Sequence, residues 1–131
     1  MSMGISWNEQ ASAALLRLAR AVERIARSDG DHATAVSALS LHRRSHPTEP
    51  LHCVYGLGLG VIVQGSKQVL LGNEVINYAP GQSMLTTIDA PVVAHVTKAS
   101  SREPFLGLFL TLDPRLILQA ASELVISLRP R

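Results

Sequence analysis

The first apolar pattern along the chain is helical. Apolar residues recur at intervals of three, four and three, as on one face of an α-helix: Leu15, Leu18, Val22 and Ile25. Arginines repeat at the same spacing, each two residues later: Arg17, Arg20, Arg24 and Arg27. Two residues turn a helix by about 200°, so the arginines lie opposite the apolar stripe. We predict a helix over residues 9–30 with a solvated basic face; the alternative is a face that binds DNA or anionic lipid.

From Ala33 onward the pattern changes to short β segments separated by turn residues. The predicted strands cover residues 34–44, 52–55, 57–64, 67–71, 74–78, 83–88, 92–97 and 105–112. Many short strands with turns between them are typical of an antiparallel sandwich or barrel. We therefore predict a β-barrel over residues 33–112.

A second amphipathic helix is predicted over residues 113–128. Asp113-Pro114 supplies an N-cap followed by proline at the first helical position. The apolar face that follows is wider than a small barrel can cover, so we expect it to mediate dimerisation. The residues expected in that contact are Leu116, Ile117, Ala120 and Leu124.

Glycines at 56, 58, 60, 65 and 72 raise the question of a phosphate-binding loop. The dinucleotide pattern G-x-G-x-x-G would need its third glycine where Val61 stands, and no helix follows. Gly65-Ser66-Lys67 also lacks the earlier glycine of a P-loop. We instead predict consecutive hairpins, with turns at residues 65–66 and 72–73.

Length, charge and cysteine content narrow the class of protein. The 131 residues suit a single domain, and a net charge of +2 is too small for a nucleic-acid footprint. The sole cysteine, Cys53, excludes an internal disulfide and fits a reducing compartment. No apolar run reaches the roughly 20 residues that span a bilayer. We expect a cytoplasmic protein with no membrane partner.

Several runs together resemble a known family. They are LHRRSHPTEP (41–50), CVYGLGLGVIVQGSKQVLLGNEVINYAPG (53–81), DAPV (89–92) and PFLGLFLTLD (104–113). They are similar to the N-terminal domain of a branch of AraC-type bacterial transcription regulators. The matching residues are Arg43 or Arg44, Pro47, Thr48, Pro50, Tyr55, Gln64, Gly65, Lys67, Val69, Leu71, Gly72, Tyr78 and Gly81. The glycine run at 56–60 departs from the family's usual sequence, so the first hairpin is expected to bend differently.

The resemblance implies a mainly β fold, the double-stranded β-helix or cupin-like jelly roll, with a helix at each end. It also implies an effector-sensing and dimerisation domain, whose partners are a small-molecule effector and a second copy. In such regulators a C-terminal domain with two helix-turn-helix units binds DNA. We expect that domain to be absent from this chain, so that DNA is a partner only through the missing part.

The alternative function is a small cupin enzyme or a metal-binding cupin. Metal-binding cupins resemble one another through the pattern G-x5-H-x-H-x3,4-E-x6-G. Glu74 and Gly81 fit its end, but the positions of the two histidines, 67–70, hold Lys, Gln, Val and Leu. No Ser–His–Asp or Cys–His arrangement is evident from spacing. We therefore predict no metal, no cofactor and no catalytic residue.

Candidate ligand-binding residues combine a position that can face inward with a polar tip. They are Tyr55, Gln64, Tyr78 and His95. Strand 74–78 can turn either Tyr78 or Asn77 inward, since a strand cannot present both, and we favour Tyr78. His95 can face the interior or solvent. Lys67 is expected at the rim or in solvent.

Overall fold

The described part of the chain, residues 2–128 of 131, folds into nine strands between two helices. In this computed structural model the side chains are described from residue 10 to residue 125. Helix α1 spans Ser2–Ile25 and helix α2 spans Pro114–Leu128. The strands are β1 Gly30–Ala33, β2 Leu39–Arg44, β3 Leu51–Tyr55, β4 Gly58–Gln64, β5 Ser66–Leu71, β6 Glu74–Tyr78, β7 Ser83–Thr86, β8 Ala90–Lys98 and β9 Phe105–Thr111.

The strands form two sheets that face each other. The five-stranded sheet has the order β1-β2-β9-β4-β7, and the four-stranded sheet has the order β3-β8-β5-β6. All the strand pairs are antiparallel. Because successive strands repeatedly change sheet, the arrangement is a jelly roll. The predicted fold class, a mainly β jelly roll with a helix at each end, is confirmed.

The first strand lies earlier than the sequence pattern predicts. We predicted one strand over residues 34–44, whereas β1 precedes this segment and β2 begins only at Leu39. The hydroxyl Oγ1 of Thr34 accepts a hydrogen bond from the Val36 N–H at 3.2 Å and lies 2.9 Å from the Leu39 carbonyl oxygen. A hydroxyl side chain that bonds to nearby main chain favours a turn over a strand. The segment is therefore a hairpin with Thr34 in its turn.

Of the two turns predicted at Gly65 and Gly72, one joins the strands of a hairpin and the other joins strands of different sheets. β5 and β6 form the predicted hairpin, with Leu71 opposite Glu74 around Gly72. β4 and β5 belong to different sheets, so the predicted hairpin between them is wrong and Gly65 is a crossover. Gly65 has a φ of +80°, and a Cβ there would lie 2.5 Å from the Lys98 carbonyl oxygen. This crossover therefore requires glycine.

Helix α1 covers the outer face of the five-stranded sheet. The buried residues that it and the turn after it contribute are Ala19, Val22 and Ala26, packed against Leu41, Val63 and Leu106 of the sheet. Two residues of the predicted apolar stripe, Leu18 and Ile25, are instead 37% and 56% exposed. The contact face is rotated towards the alanines because their small side chains let the helix approach the strands closely.

The ends of α1 also differ from the prediction of residues 9–30. The helix begins at Ser2 and ends at Ile25, since Gly30 already pairs with Arg43 as the first residue of β1. Three of the four predicted arginines, Arg17, Arg20 and Arg24, lie on α1 and are exposed, as predicted, and Arg27 is exposed just after the helix ends. Between residues 2 and 128 no helix is both long and apolar enough to cross a membrane.

Helix α2 is exposed along its whole described length. Asp113 Oδ1 accepts a hydrogen bond from the Arg115 N–H at 2.9 Å, which is the predicted N-cap. The residues from Pro114 to Val125 are all exposed, including Leu116 at 63% and Leu124 at 60%. The wide apolar face of α2 thus has no cover within the described chain.

Candidate functional site

An open cavity lies between the inner faces of the two sheets. Its volume is about 430 Å³, within the range of small-molecule sites. The five-stranded sheet contributes Asp31, Ser40, His42, Arg44, Met84, Phe105 and Phe109 to the wall, and the four-stranded sheet contributes Cys53, Tyr55, Lys67 and Tyr78. The barrel is therefore not filled by its own side chains.

Glycines on β4 keep the cavity open beside the five-stranded sheet. Gly58 and Gly60 lie on the inner face of β4, where Gly60 is opposite Phe109. A Cβ at Gly58 would overlap the Phe109 ring and the Leu110 carbonyl oxygen, whereas at Gly60 the nearest atom is 3.6 Å away. Phe109 therefore lies against bare backbone instead of crossing the cavity. The glycine run that departs from the AraC-type pattern shapes this wall.

A chain of hydrogen bonds runs along the mouth of the cavity. His42 lies directly opposite Asp31, and its Nδ1 is 2.8 Å from Asp31 Oδ1. The His42 Nε2 is 3.3 Å from Ser40 Oγ. The hydrogen bond with His42 is the main cause that lowers the pKa of Asp31. Asp31 is thus an ionised acceptor at neutral pH, so His42 Nδ1 donates to it and His42 Nε2 is left beside the Ser40 hydroxyl.

Hydrogen bonds that lead from a serine through a histidine to an aspartate are also found in serine hydrolases. Residue spacing in the sequence did not reveal this arrangement. Acyl transfer also needs N–H donors for the developing oxyanion. Strand β2 is paired on both sides, with β1 and β9, so the main-chain N–H groups around Ser40 are used within the sheet. We therefore interpret the Ser40–His42–Asp31 chain as a polar wall of a binding cavity.

The two consecutive arginines of β2 face opposite sides of the sheet. Arg44 faces the cavity, and its Nη2 is 2.9 Å from Asp31 Oδ1. Arg43 faces α1, where its Nη1 donates to the Ala26 carbonyl oxygen at 3.0 Å. From the sequence alone, either arginine could match the family motif. In the structure Arg43 links the end of α1 to the sheet, and Arg44 contributes a positive charge to the cavity.

Lys67 faces the cavity from the four-stranded sheet. The expectation that it lies at the rim or in solvent is wrong, because it is directly opposite Tyr78 and Val96 on the inner face. Its Nζ lies 4.8 Å from the centroid of the Tyr55 ring, a cation–π distance. Burial lowers the pKa of Lys67. No carboxylate pairs with Lys67 among the residues that the structure describes.

Of the four predicted ligand-binding residues, two present their side chains to the cavity. Tyr55 and Tyr78 both lie on the inner face, and burial raises the pKa of each. Both hydroxyls are therefore protonated at neutral pH and can donate hydrogen bonds to a ligand.

The other two predicted residues lie elsewhere. Gln64 is not part of the cavity wall; its Nε2 donates to the Pro104 carbonyl oxygen at 2.9 Å. His95 is opposite Gln68 and alternates with the buried Ala94 and Val96. His95 borders the cavity, but the alternation of the strand places its side chain on the outer face of the sheet.

Sequence reasoning did not place the charged residues of the wall there: Asp31, His42, Arg44, Glu49 and Lys67. The sequence carried a signal for Lys67, because it shares one face of its strand with the apolar Val69, which is 1% exposed. For Asp31 no such signal existed, since it lies in a strand that was not predicted. In the described chain, no three His, Cys, Asp or Glu side chains are grouped closely enough to hold a metal ion.

Comparison with protein families decides what kind of domain this is. Residues 35–130 match the family described as AraC-type transcriptional regulator N-terminus. The chain belongs to this family. The resemblance inferred from the motifs is thus confirmed, and the matched residues follow α1. None of the curated proteins compared with the domain matches it in sequence.

Several solved structures are similar to this chain, among them the following three. A cupin superfamily protein from Desulfitobacterium hafniense DCB-2 is 20% identical with a TM-score of 0.51, over 63% of this chain and 75% of that one. A protein of unknown function from Rhizobium leguminosarum bv. viciae 3841 is 12% identical with a TM-score of 0.48, over 71% and 92%. A salicylate 1,2-dioxygenase from Pseudoaminobacter salicylatoxidans is 14% identical with a TM-score of 0.37, over 64% and 21%. The first likeness supports a cupin-like jelly roll; the other two are too distant to bear on activity.

Proposed function

We propose that this AraC-type N-terminal domain senses a small organic effector in the cavity between its sheets. The domain forms a homodimer through α2, and it passes the effector signal to a DNA-binding domain of the same regulator. The observation that carries the proposal is the open cavity of about 430 Å³ with polar side chains from both sheets.

The connection between cavity and α2 supports a route for the signal. Strand β9 places Phe109 in the cavity wall, ends at Thr111, and is followed by α2 from Pro114. A ligand shifts an equilibrium only if it binds two conformations with different affinity. An effector that moves Phe109 would change the position of the N-cap Asp113, and with it the direction of α2.

The exposure of α2 supports dimerisation. An isolated helix of fewer than about 12–15 residues is marginal in water, and α2 is at that limit. Its apolar side chains, including Leu116, Ile117 and Leu124, are exposed in the single chain. Packing against a second α2 would remove this apolar surface from water, and a two-fold dimer is the commonest way to do so.

A thermal-shift screen of aromatic, sugar and carboxylate compounds tests effector binding. We expect hits that raise the melting temperature of the wild type and lose their effect in Tyr78→Ala, because the Tyr78 side chain lines the cavity. His95→Ala is the matched control, since its side chain lies on the outer face of the same sheet. Hits that stabilise all three proteins equally would place the ligand elsewhere.

Light scattering tests dimerisation. We expect a dimer at micromolar concentration, and a monomer for Leu124→Glu because a charge would be buried in the apolar contact. Gln119→Glu introduces the same charge on the polar side of α2 and should leave the dimer intact. A wild-type chain that is monomeric at high micromolar concentration would contradict this part of the proposal.

A further inference from the structure

One positive charge inside the cavity lacks a partner. Arg44 and Lys67 project into the cavity from opposite sheets. The charge of Arg44 is balanced by Asp31, whose Oδ1 is 2.9 Å from Arg44 Nη2. Asp31 Oδ1 also accepts from His42, so this oxygen already has two donors. Among described residues, no carboxylate pairs with Lys67.

The surroundings of Lys67 make this charge costly. On the inner face its strand continues into Val69, and the neighbouring strand β8 contributes Val92 and Ala94, all buried. An ammonium group in apolar surroundings is less stable than in water. Burial is the main cause of the lowered pKa of Lys67. The positive charge of Arg44 lowers this pKa further, whereas Cys53 and Asp31 act in the opposite direction without cancelling the effect of burial. An anion bound beside the Lys67 ammonium would offset the cost of its burial and the repulsion from Arg44.

We propose that the effector is a small organic carboxylate whose anionic group is bound by Lys67. The inference rests on the proposed effector-sensing function and names the chemical class of the ligand. The Lys67 ammonium lies over the Tyr55 ring, so its remaining hydrogens can be donated into the cavity. The protonated hydroxyls of Tyr55 and Tyr78 line the same cavity and supply further donors.

The rest of the wall sets the shape and charge of this carboxylate. Met84, Phe105 and Phe109 line the cavity on the opposite sheet, which suits an aromatic or short aliphatic body. Two carboxylates, Asp31 and Glu49, stand in the part of the wall made by β1 and the segment after β2. Their negative charge disfavours a second anionic group there, so the ligand is a monocarboxylate.

The test compares anions with neutral molecules of the same shape on the intact chain. The probes are benzoate, cinnamate and hexanoate, each paired with its primary amide, and binding is measured by calorimetry and by thermal shift. We expect at least one carboxylate to bind and its amide to bind about thirtyfold more weakly or not at all, the loss typical of a removed buried charge interaction.

Variants of Lys67 separate its charge from its shape. Lys67→Met should weaken the carboxylate by about thirtyfold and leave the amide unchanged, while Lys67→Arg should retain most of the carboxylate affinity. Lys98→Met removes a lysine outside the cavity wall and should change neither. If Lys67→Met does not fold, the comparison of carboxylate and amide on the wild-type chain decides the question alone.

The outcomes also separate this inference from the proposed function. If an amide binds as tightly as its carboxylate, or if Lys67→Met retains carboxylate affinity, the assignment of Lys67 is overturned. If neutral compounds bind in a Tyr78-dependent way and no carboxylate does, the inference fails and the sensing function stands. If no compound of either kind binds, both fail.

Discussion

The two sheets of this jelly roll differ in what covers them and in how their charges are paired. The outer face of the five-stranded sheet lies under α1, and its cavity charge Arg44 is paired with Asp31. Within the described residues nothing covers the outer face of the four-stranded sheet, where Val54 is 66% and Val75 57% exposed. Its cavity charge, Lys67, has no carboxylate partner among described residues.

This difference indicates that one sheet contributes mainly to the stability of the fold and the other mainly to ligand binding. The five-stranded sheet buries apolar side chains against α1 and pairs its cavity arginine with a carboxylate, so changes there should act mainly on folding. The four-stranded sheet leaves a charge and two tyrosine hydroxyls facing an open space, so changes there should act mainly on ligand binding. The predictions below test that division from the largest expected effect to the smallest.

The largest effect is expected under α1. Leu106 is 0% exposed and packs between the five-stranded sheet and the helix, so Leu106→Ala should lower the free energy of unfolding by about 2–5 kcal/mol. Leu51, in the four-stranded sheet, is 67% exposed, and Leu51→Ala should cost about 0.5 kcal/mol or less. Urea unfolding of both variants measures this. Equal losses would show that the two sheets contribute alike to stability.

The inner wall of the five-stranded sheet gives the next effect. Gly58→Ala places a Cβ onto the Phe109 ring and the Leu110 carbonyl oxygen, and should cost about 1–3 kcal/mol. Gly60→Ala is on the same strand and face, but its Cβ meets only ordinary contacts. We expect it to be neutral or slightly stabilising, because alanine restricts the unfolded chain more than glycine. Thermal unfolding distinguishes the two, and a costly Gly60→Ala would contradict this account of the wall.

The two cavity cations should respond in opposite directions. Lys67→Met removes an unpaired ammonium and should raise the stability of the ligand-free protein, by on the order of 1 kcal/mol. Arg44→Met leaves Asp31 without one of its partners and should lower stability by about 1 kcal/mol or less, since the pair is partly exposed. Unfolding midpoints without ligand measure both. A fall for Lys67→Met would mean that its contact with the Tyr55 ring outweighs the cost of its charge.

The smallest effects are expected in the pH dependence of stability, at acidic pH for two aspartates and at alkaline pH for Lys67. Hydrogen bonds lower the pKa of Asp29, chiefly from Ser45, and of Asp31, chiefly from His42, below the ordinary value of 3.8. Their stabilisation is present above that value and is lost as pH falls through the lowered pKa values. The pKa of Lys67 is lowered below 10.5, so the unfolded chain binds more protons just below that value and stability rises with pH there.

The same titration should affect carboxylate binding in the opposite sense. An anion favours the protonated Lys67, so its affinity should fall as pH rises through the pKa of Lys67, whereas an amide's affinity should not. The groups that face Lys67 are Tyr55 and Cys53 of β3, Tyr78 of β6, and Arg44 and Asp31 of the opposite sheet. Calorimetry at several pH values on the wild type and on Cys53→Ala separates the effect of Lys67 on carboxylate affinity from that of the Cys53 thiol. An unchanged carboxylate affinity across that range would contradict its role.

Local sequence patterns determined the elements that depend on neighbouring residues. The β5–β6 hairpin follows from Gly72 between two alternating segments, and the start of α2 follows from Asp113-Pro114. The arginine face of α1 is exposed because its residues are charged. The family was also recognisable, since its motif residues are read directly from the chain.

Contacts between distant segments decided the rest. Alternation along a strand defines two faces but does not say which one is interior, and only the packing of the sheets turned Lys67 and Tyr78 inward and His95 outward. The crossover at Gly65 depends on Lys98, and the Asp31–His42 contact depends on a strand formed by pairing with β2. Both helices carry an apolar face in the sequence. Only one has a sheet beneath it, because burial depends on where the chain brings a partner and not on the pattern of the helix itself.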